Sequence, residues 1–73
     1  MNWETVRSKV EEDLLPEEKA YSIVRLDTMK SPDDPEFATK YKEVDTLDDF
    51  EPKATNWFTW IAYDSEGSGY SID

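Results

Sequence analysis

The chain has 73 residues, eighteen of them acidic and eight basic, for a formal charge of −10, and it contains neither cysteine nor histidine. That length allows one small domain, and the missing residues exclude disulfides, thiolate zinc sites and every nucleophile–base pair that uses a cysteine or histidine. The negative surplus repels nucleic acid and membranes and favours basic protein surfaces through salt-sensitive association.

Aromatic residues make up 14% of the chain, which sets it apart from acidic disordered sequences and predicts a fold. No apolar run reaches the roughly 18 residues of a membrane span. The first residues are charged and amphipathic, so neither a span nor a signal peptide is expected, and the plain reading is a soluble intracellular protein.

Asn2 can cap a helix whose apolar positions Trp3, Val6, Val10 and Leu14 are spaced three, four and four apart, as one helical face requires. Pro16 stops it by about Leu14 and pushes Leu15 towards an extended conformation. Glu11, Glu12 and Asp13 then sit at the negative end of the helix dipole, where exposed acids are unfavourable. They read either as a solvated, frayed turn or as acids kept there to meet a basic partner.

The run Ala20 to Asp27 reads as a strand with Tyr21, Ile23 and Arg25 on one side and Ser22, Val24 and Leu26 on the other. The Ser22, Val24, Leu26 side should face the core or the helix, with Arg25 projecting to pair with an acid. Met29 to Pro35 is a loop. Asp34-Pro35-Glu36 is a helix-start signature, with an aspartate cap, proline at the first position and an acid in the first turn.

Phe37, Tyr41, Val44 and Leu47 follow at steps of four, three and three, which favours a short helix from Pro35 to about Glu43. The competing reading is a strand over Lys40 to Thr46, since Tyr41, Val44 and Thr46 are strand formers and Thr46-Leu47-Asp48-Asp49 suits a turn. Pro52 ends this segment, and Lys53 to Asn56 lead into the densest apolar stretch of the chain.

That stretch, Trp57 to Tyr63, reads as a strand because aromatic and β-branched residues dominate it. Trp57, Thr59, Ile61 and Tyr63 point one way and Phe58, Trp60 and Ala62 the other, so both faces need covering. Trp57, Trp60 and Tyr63 are either core residues or exposed anchors for a partner. From Asp64 onward, a Gly-Ser-Gly composition predicts a flexible tail. The expected architecture is therefore one small α+β domain over residues 1–63, an N-terminal helix packed on a short antiparallel sheet, with a flexible tail over 64–73.

Glu43, Asp45, Asp48, Asp49 and Glu51 place five carboxylates in nine residues with no base among them. They do not match an EF-hand loop, which needs a glycine at its turn and a closing glutamate, so no metal site is expected. Two carboxylates can also serve as acid and base in glycoside hydrolysis, but such a small chain can hardly build the concave pocket this requires. No enzyme, cofactor or direct nucleic-acid contact is expected.

Protein binding remains, in two versions. Alternate strand residues lie roughly 6.6 to 6.8 Å apart, so Glu43 with Asp45, and Asp49 with Glu51, could imitate neighbouring DNA phosphates. A DNA-mimic inhibitor of a repair glycosylase, nuclease or restriction system is this alternative. In the other version the acids steer the protein to a basic patch while aromatics anchor it.

Taken from Met1-Asn2-Trp3-Glu4-Thr5-Val6-Arg7 through Asn56-Trp57-Phe58-Thr59-Trp60-Ile61 to the Gly-Ser-Gly tail, the chain resembles small Xanthomonas-phage transcription regulators that bind host RNA polymerase. The resemblance is one of length, acidity and sequence character rather than of a motif. It implies a non-enzymatic protein of the host cytoplasm that binds the N-terminal part of the β′ subunit, disfavours the σ-bound holoenzyme and suppresses intrinsic termination. Under it, the N-terminal helix (Trp3, Arg7, Glu11, Glu12) and the acidic segment (Glu43, Asp45, Asp48, Asp49, Glu51) meet the enzyme, with the protein acting as a monomer.

Overall fold

The computed structural model describes residues 3–52 and 57–72. Helix α1 spans Trp3–Lys9 and runs on as a wider π-turn over Val10–Leu14. Strands β1 (Tyr21–Asp27) and β2 (Ala38–Val44) follow, then a 3-10 turn at Leu47–Asp49, then β3 (Phe58–Asp64) and β4 (Gly69–Ser71). The strands form one antiparallel sheet in the order β2-β1-β3-β4. The fold is α+β, as composition and periodicity predict. The cap expected at Asn2 and the lead-in Lys53 to Asn56 lie outside the described residues.

Val6, Val10 and Leu14 are all buried. Residues four apart on an α-helix drift by roughly 40° per step at 3.6 residues per turn. Widening the second half into a π-turn reduces that drift and keeps Leu14 over the sheet. Leu15 leaves in an extended conformation at ψ 149°, because the ring of Pro16 disfavours helical backbone before it.

The helix covers one face of the sheet, with Val24 and Leu26 of β1, Ile61 and Tyr63 of β3, and Phe37 and Ala38 packed beneath it. The opposite face carries Ile23, Trp60, Ala62 and Val44, and the segment after β2 folds over it through Phe50 and Leu47. Both faces of the aromatic strand are thus covered, one by a helix and one by a turn. Trp60 and Tyr63 belong to these cores, while Trp57 is 52% exposed.

The helix expected from Pro35 to Glu43 is not formed; Ala38–Val44 is an edge strand. The start signature makes one local turn instead, with Asp34 Oδ1 accepting the Glu36 N–H at 2.8 Å and the Asp34 carbonyl accepting the Phe37 N–H at 2.9 Å. The misleading spacing has a specific cause. Ile23 pairs with Lys42 and Val24 with Lys40, so Tyr41 is an extra residue in a β-bulge. The bulge brings Tyr41 and Val44, three apart, to the same face, where both meet the Phe50 and Trp60 cluster. Three-residue spacing on one face is normally a helical signature.

Within the segment expected as a flexible tail, a turn and the short strand β4 form. Asp64 Oδ1 accepts the N–H groups of Glu66 and Ser68 at 2.9 and 3.0 Å. Gly67 takes a positive φ of 82° that other residues rarely adopt. The turn they make sends Gly69–Ser71 back along β3, and Ile72 donates to the Trp60 carbonyl at 3.2 Å. Arg25, expected to meet an acid, lies over the Phe58 ring at 4.5 Å from its centroid.

Candidate functional site

The acids expected to act together are divided by the fold. Glu11 and Glu12 are exposed on the π-turn, in the helical layer. Asp48 and Asp49 are exposed on the 3-10 turn, whose neighbours Leu47 and Phe50 pack on the opposite face. Asp45 and Glu51 flank that turn and are exposed too. The acidic turn is therefore pinned by apolar side chains on either side while its carboxylates face solvent. Among the described residues no group of three or more acids is arranged to hold a metal ion.

Glu43 stands apart from the rest. Its Oε1 accepts the backbone N–H groups of Glu17, Glu18 and Lys19 at 2.8, 3.0 and 3.3 Å. Its Oε2 lies 3.4 Å from Lys40 Nζ, which also donates to the Leu15 carbonyl at 2.9 Å. The Glu18 N–H does most to hold this carboxyl down, with Glu17, Lys19 and the Lys40 ammonium adding to it against an opposing push from burial. The pKa is lowered from 4.5 to about 2. Glu43 thus accepts from three backbone donors of the connection that follows the helix and ties the 17–19 segment to β2, a structural task that leaves little of it for a partner.

Asp45 pairs with Lys19 at 3.3 Å across an exposed surface. The phosphate-like pairs do not lie on continuous strands. Glu43 is turned to the backbone of 17–19 and Asp45 is beyond the end of β2, while Asp49 lies in the 3-10 turn and Glu51 beyond it. The backbone of Trp3 begins α1. Arg7 is exposed on the same helix and pairs with no carboxylate among the described residues.

Arg7 does border a feature that linear reading did not reveal. An open pocket of about 410 Å³ lies between it and the helix-facing side of β3 and β4, lined by Thr59, Ile61, Tyr63, Gly67, Gly69 and Ser71. Alternation puts Thr59, Ile61 and Tyr63 on that side, and the pairing of Tyr63 with Gly69 and Ile61 with Ser71 supplies its far wall. Burial pushes the Tyr63 hydroxyl above its ordinary pKa, and the positive charge of Arg7 pulls it part of the way back.

A third surface, on the other face, holds an aromatic cluster. Trp60 lies 5.0 Å from Tyr41, 5.2 Å from Phe50 and 6.4 Å from Phe58 between ring centroids. Lys42 approaches the Phe50 ring at 5.7 Å. Tyr41 is half exposed, so this cluster is a core with one open edge. Among the described residues no helix is long and apolar enough to cross a membrane. Compared with known proteins, the chain matches no family model, no curated protein and no solved structure.

Proposed function

We propose that this is a non-enzymatic phage regulator that binds bacterial RNA polymerase at the N-terminal region of β′ in the host cytoplasm. It disfavours the σ-bound holoenzyme and suppresses intrinsic termination. The target comes from the sequence resemblance. The observation that carries the mode of binding is the acidic turn: Asp48 and Asp49 project to solvent while Leu47 and Phe50 hold their backbone against the sheet. A pre-positioned pair of carboxylates suits a basic protein surface, since its attraction is long-ranged and little loop entropy is lost on docking.

A protein of 8.5 kDa acts on a large enzyme by binding one of its states better than another, and its effect is bounded by that difference in affinity. Preferential binding to core over holoenzyme shifts the balance away from initiation without touching the chemistry. The exposed acids speed encounter with basic ground near a nucleic-acid channel.

The test is binding to purified polymerase core and to σ-bound holoenzyme at two salt concentrations, with fluorescent σ as reporter. Tight binding to core with loss of σ is the expected result, and no binding to either form would discard the proposal. Asp48→Asn combined with Asp49→Asn should weaken binding and flatten its salt dependence. Unchanged affinity of that variant at low salt would remove the acidic turn from the account.

A further inference from the structure

The pocket beside Arg7 lies apart from Asp48 and Asp49, on which the proposed mode of polymerase binding rests. Its volume, about 410 Å³, falls within the range of small-molecule sites, roughly 300 to 1,000 Å³. The Tyr63 ring is buried, but its hydroxyl is not closed off from solvent at the pocket, and it has no hydrogen-bond partner among the described residues. Nor do the Thr59 and Ser71 hydroxyls that share the lining. These hydroxyls open on the pocket with their hydrogen-bonding capacity free for a group that enters it.

Among the described residues Arg7 is the only cation lining the pocket, and it pairs with no carboxylate there although the chain carries eighteen acids. A guanidinium presents a planar fork of donors that fits a carboxylate. Ile61 and the Tyr63 ring supply apolar walls. Gly69 keeps the floor open: a Cβ there would lie 3.0 Å from Tyr63 Cε1 and 3.4 Å from Ile61 Cγ2.

We propose that this pocket binds an apolar monocarboxylate, its carboxylate on the Arg7 guanidinium with the Tyr63 and Ser71 hydroxyls donating, and its hydrocarbon body against Ile61 and the Tyr63 ring. A single cation suits a monoanion better than a phosphate dianion. The net negative charge of the chain opposes approach from a distance, but salt screens it beyond about 8 Å at physiological ionic strength, while contact with Arg7 is not screened in that way. The carboxylate belongs either to a free hydrophobic acid or to the chain terminus of a protein beside an apolar residue.

The test is titration of the full chain, without polymerase, at about 0.15 M salt, followed by amide and side-chain NMR shifts. Naphthoate stands for a free acid and N-acetylphenylalanine for a chain terminus, each compared with its neutral amide. Saturable shifts centred on Tyr63, Gly69 and the Arg7 side chain are expected, with each amide at least roughly tenfold weaker. The tighter of the two acids identifies the source.

Arg7→Gln, on an exposed helical position, should weaken acid binding by a similar factor and leave amide binding unchanged, and Arg7→Lys should restore part of it. Gly69→Ala should weaken acids and amides alike, with an unchanged circular dichroism spectrum showing that the fold is kept. Equal affinity for acids and amides, shifts centred elsewhere, or no saturation up to roughly 10 mM would overturn the proposal.

Discussion

Phe50 is the side chain on which the acidic turn depends, and replacing it with alanine tests that arrangement. It is 9% exposed, packs on Trp60 at 5.2 Å and Tyr41 at 5.7 Å between centroids, and lies under the Lys42 ammonium. Truncating a buried phenylalanine costs about 3 to 5 kcal/mol. Phe50 sits at the rim of its cluster and follows a short turn that can settle into the gap, so the lower end, about 3 kcal/mol, is expected. A domain of this size holds roughly 5 kcal/mol in all. At ~4 to 8 °C per kcal/mol for so short a chain, Phe50→Ala should lower Tm by about 12 to 24 °C.

Thermal unfolding by circular dichroism measures that loss. Tryptophan emission should shift to the red in the folded variant as Trp60 becomes exposed. Phe50→Leu, which keeps most of the apolar volume, should lose much less. The variant should also bind polymerase more weakly under conditions where it is folded, because Asp48 and Asp49 lose their fixed position. A loss below about 1 kcal/mol with unchanged emission would show that the turn does not cover the sheet in solution, and the account of a pre-positioned acidic pair would fall with it.

Ser22 is fully buried and its hydroxyl has no partner among the described residues, so Ser22→Ala should raise stability by about 1 kcal/mol in urea unfolding; a loss of similar size would reveal a partner in solution. Glu43 gives a prediction with a definite sign in pH. Its folded pKa of about 2 lies below the ordinary 4.5, so the stability it contributes is complete above the ordinary value and is lost as pH falls towards about 2. Glu43→Gln should therefore be less stable at neutral pH, with the gap to the parent closing between those two values. Parallel pH-stability curves for the two proteins would rule this out.

The parts of the fold whose physics is local could be read from residue order alone. The helix follows from Val6, Val10 and Leu14 on one face and a proline that stops it, and β1 and β3 follow from alternation. Burial of Val24 and Leu26 beneath the helix could be read from period alone. The edge strand β2 could not, because a bulge at Tyr41 produces the spacing of a helix, and its choice of strand depends on pairing with β1. The short closing strand was hidden for a related reason: glycine and serine favour flexibility locally, but here they make a turn that lets β4 pair with β3.

The candidate surfaces divide in the same way. The exposed acids of the 45–51 segment were legible as a cluster, since charge on a polar turn needs no distant partner to stay in water. Glu43 belongs to that cluster in sequence and departs from it in space, because the backbone donors it accepts lie 24 to 26 residues earlier in the chain. The pocket at Arg7 likewise joins a helix, a strand and the closing strand. Periodicity tells which face a side chain occupies, but which groups converge there is decided by long-range pairing, and that is set when the sheet assembles.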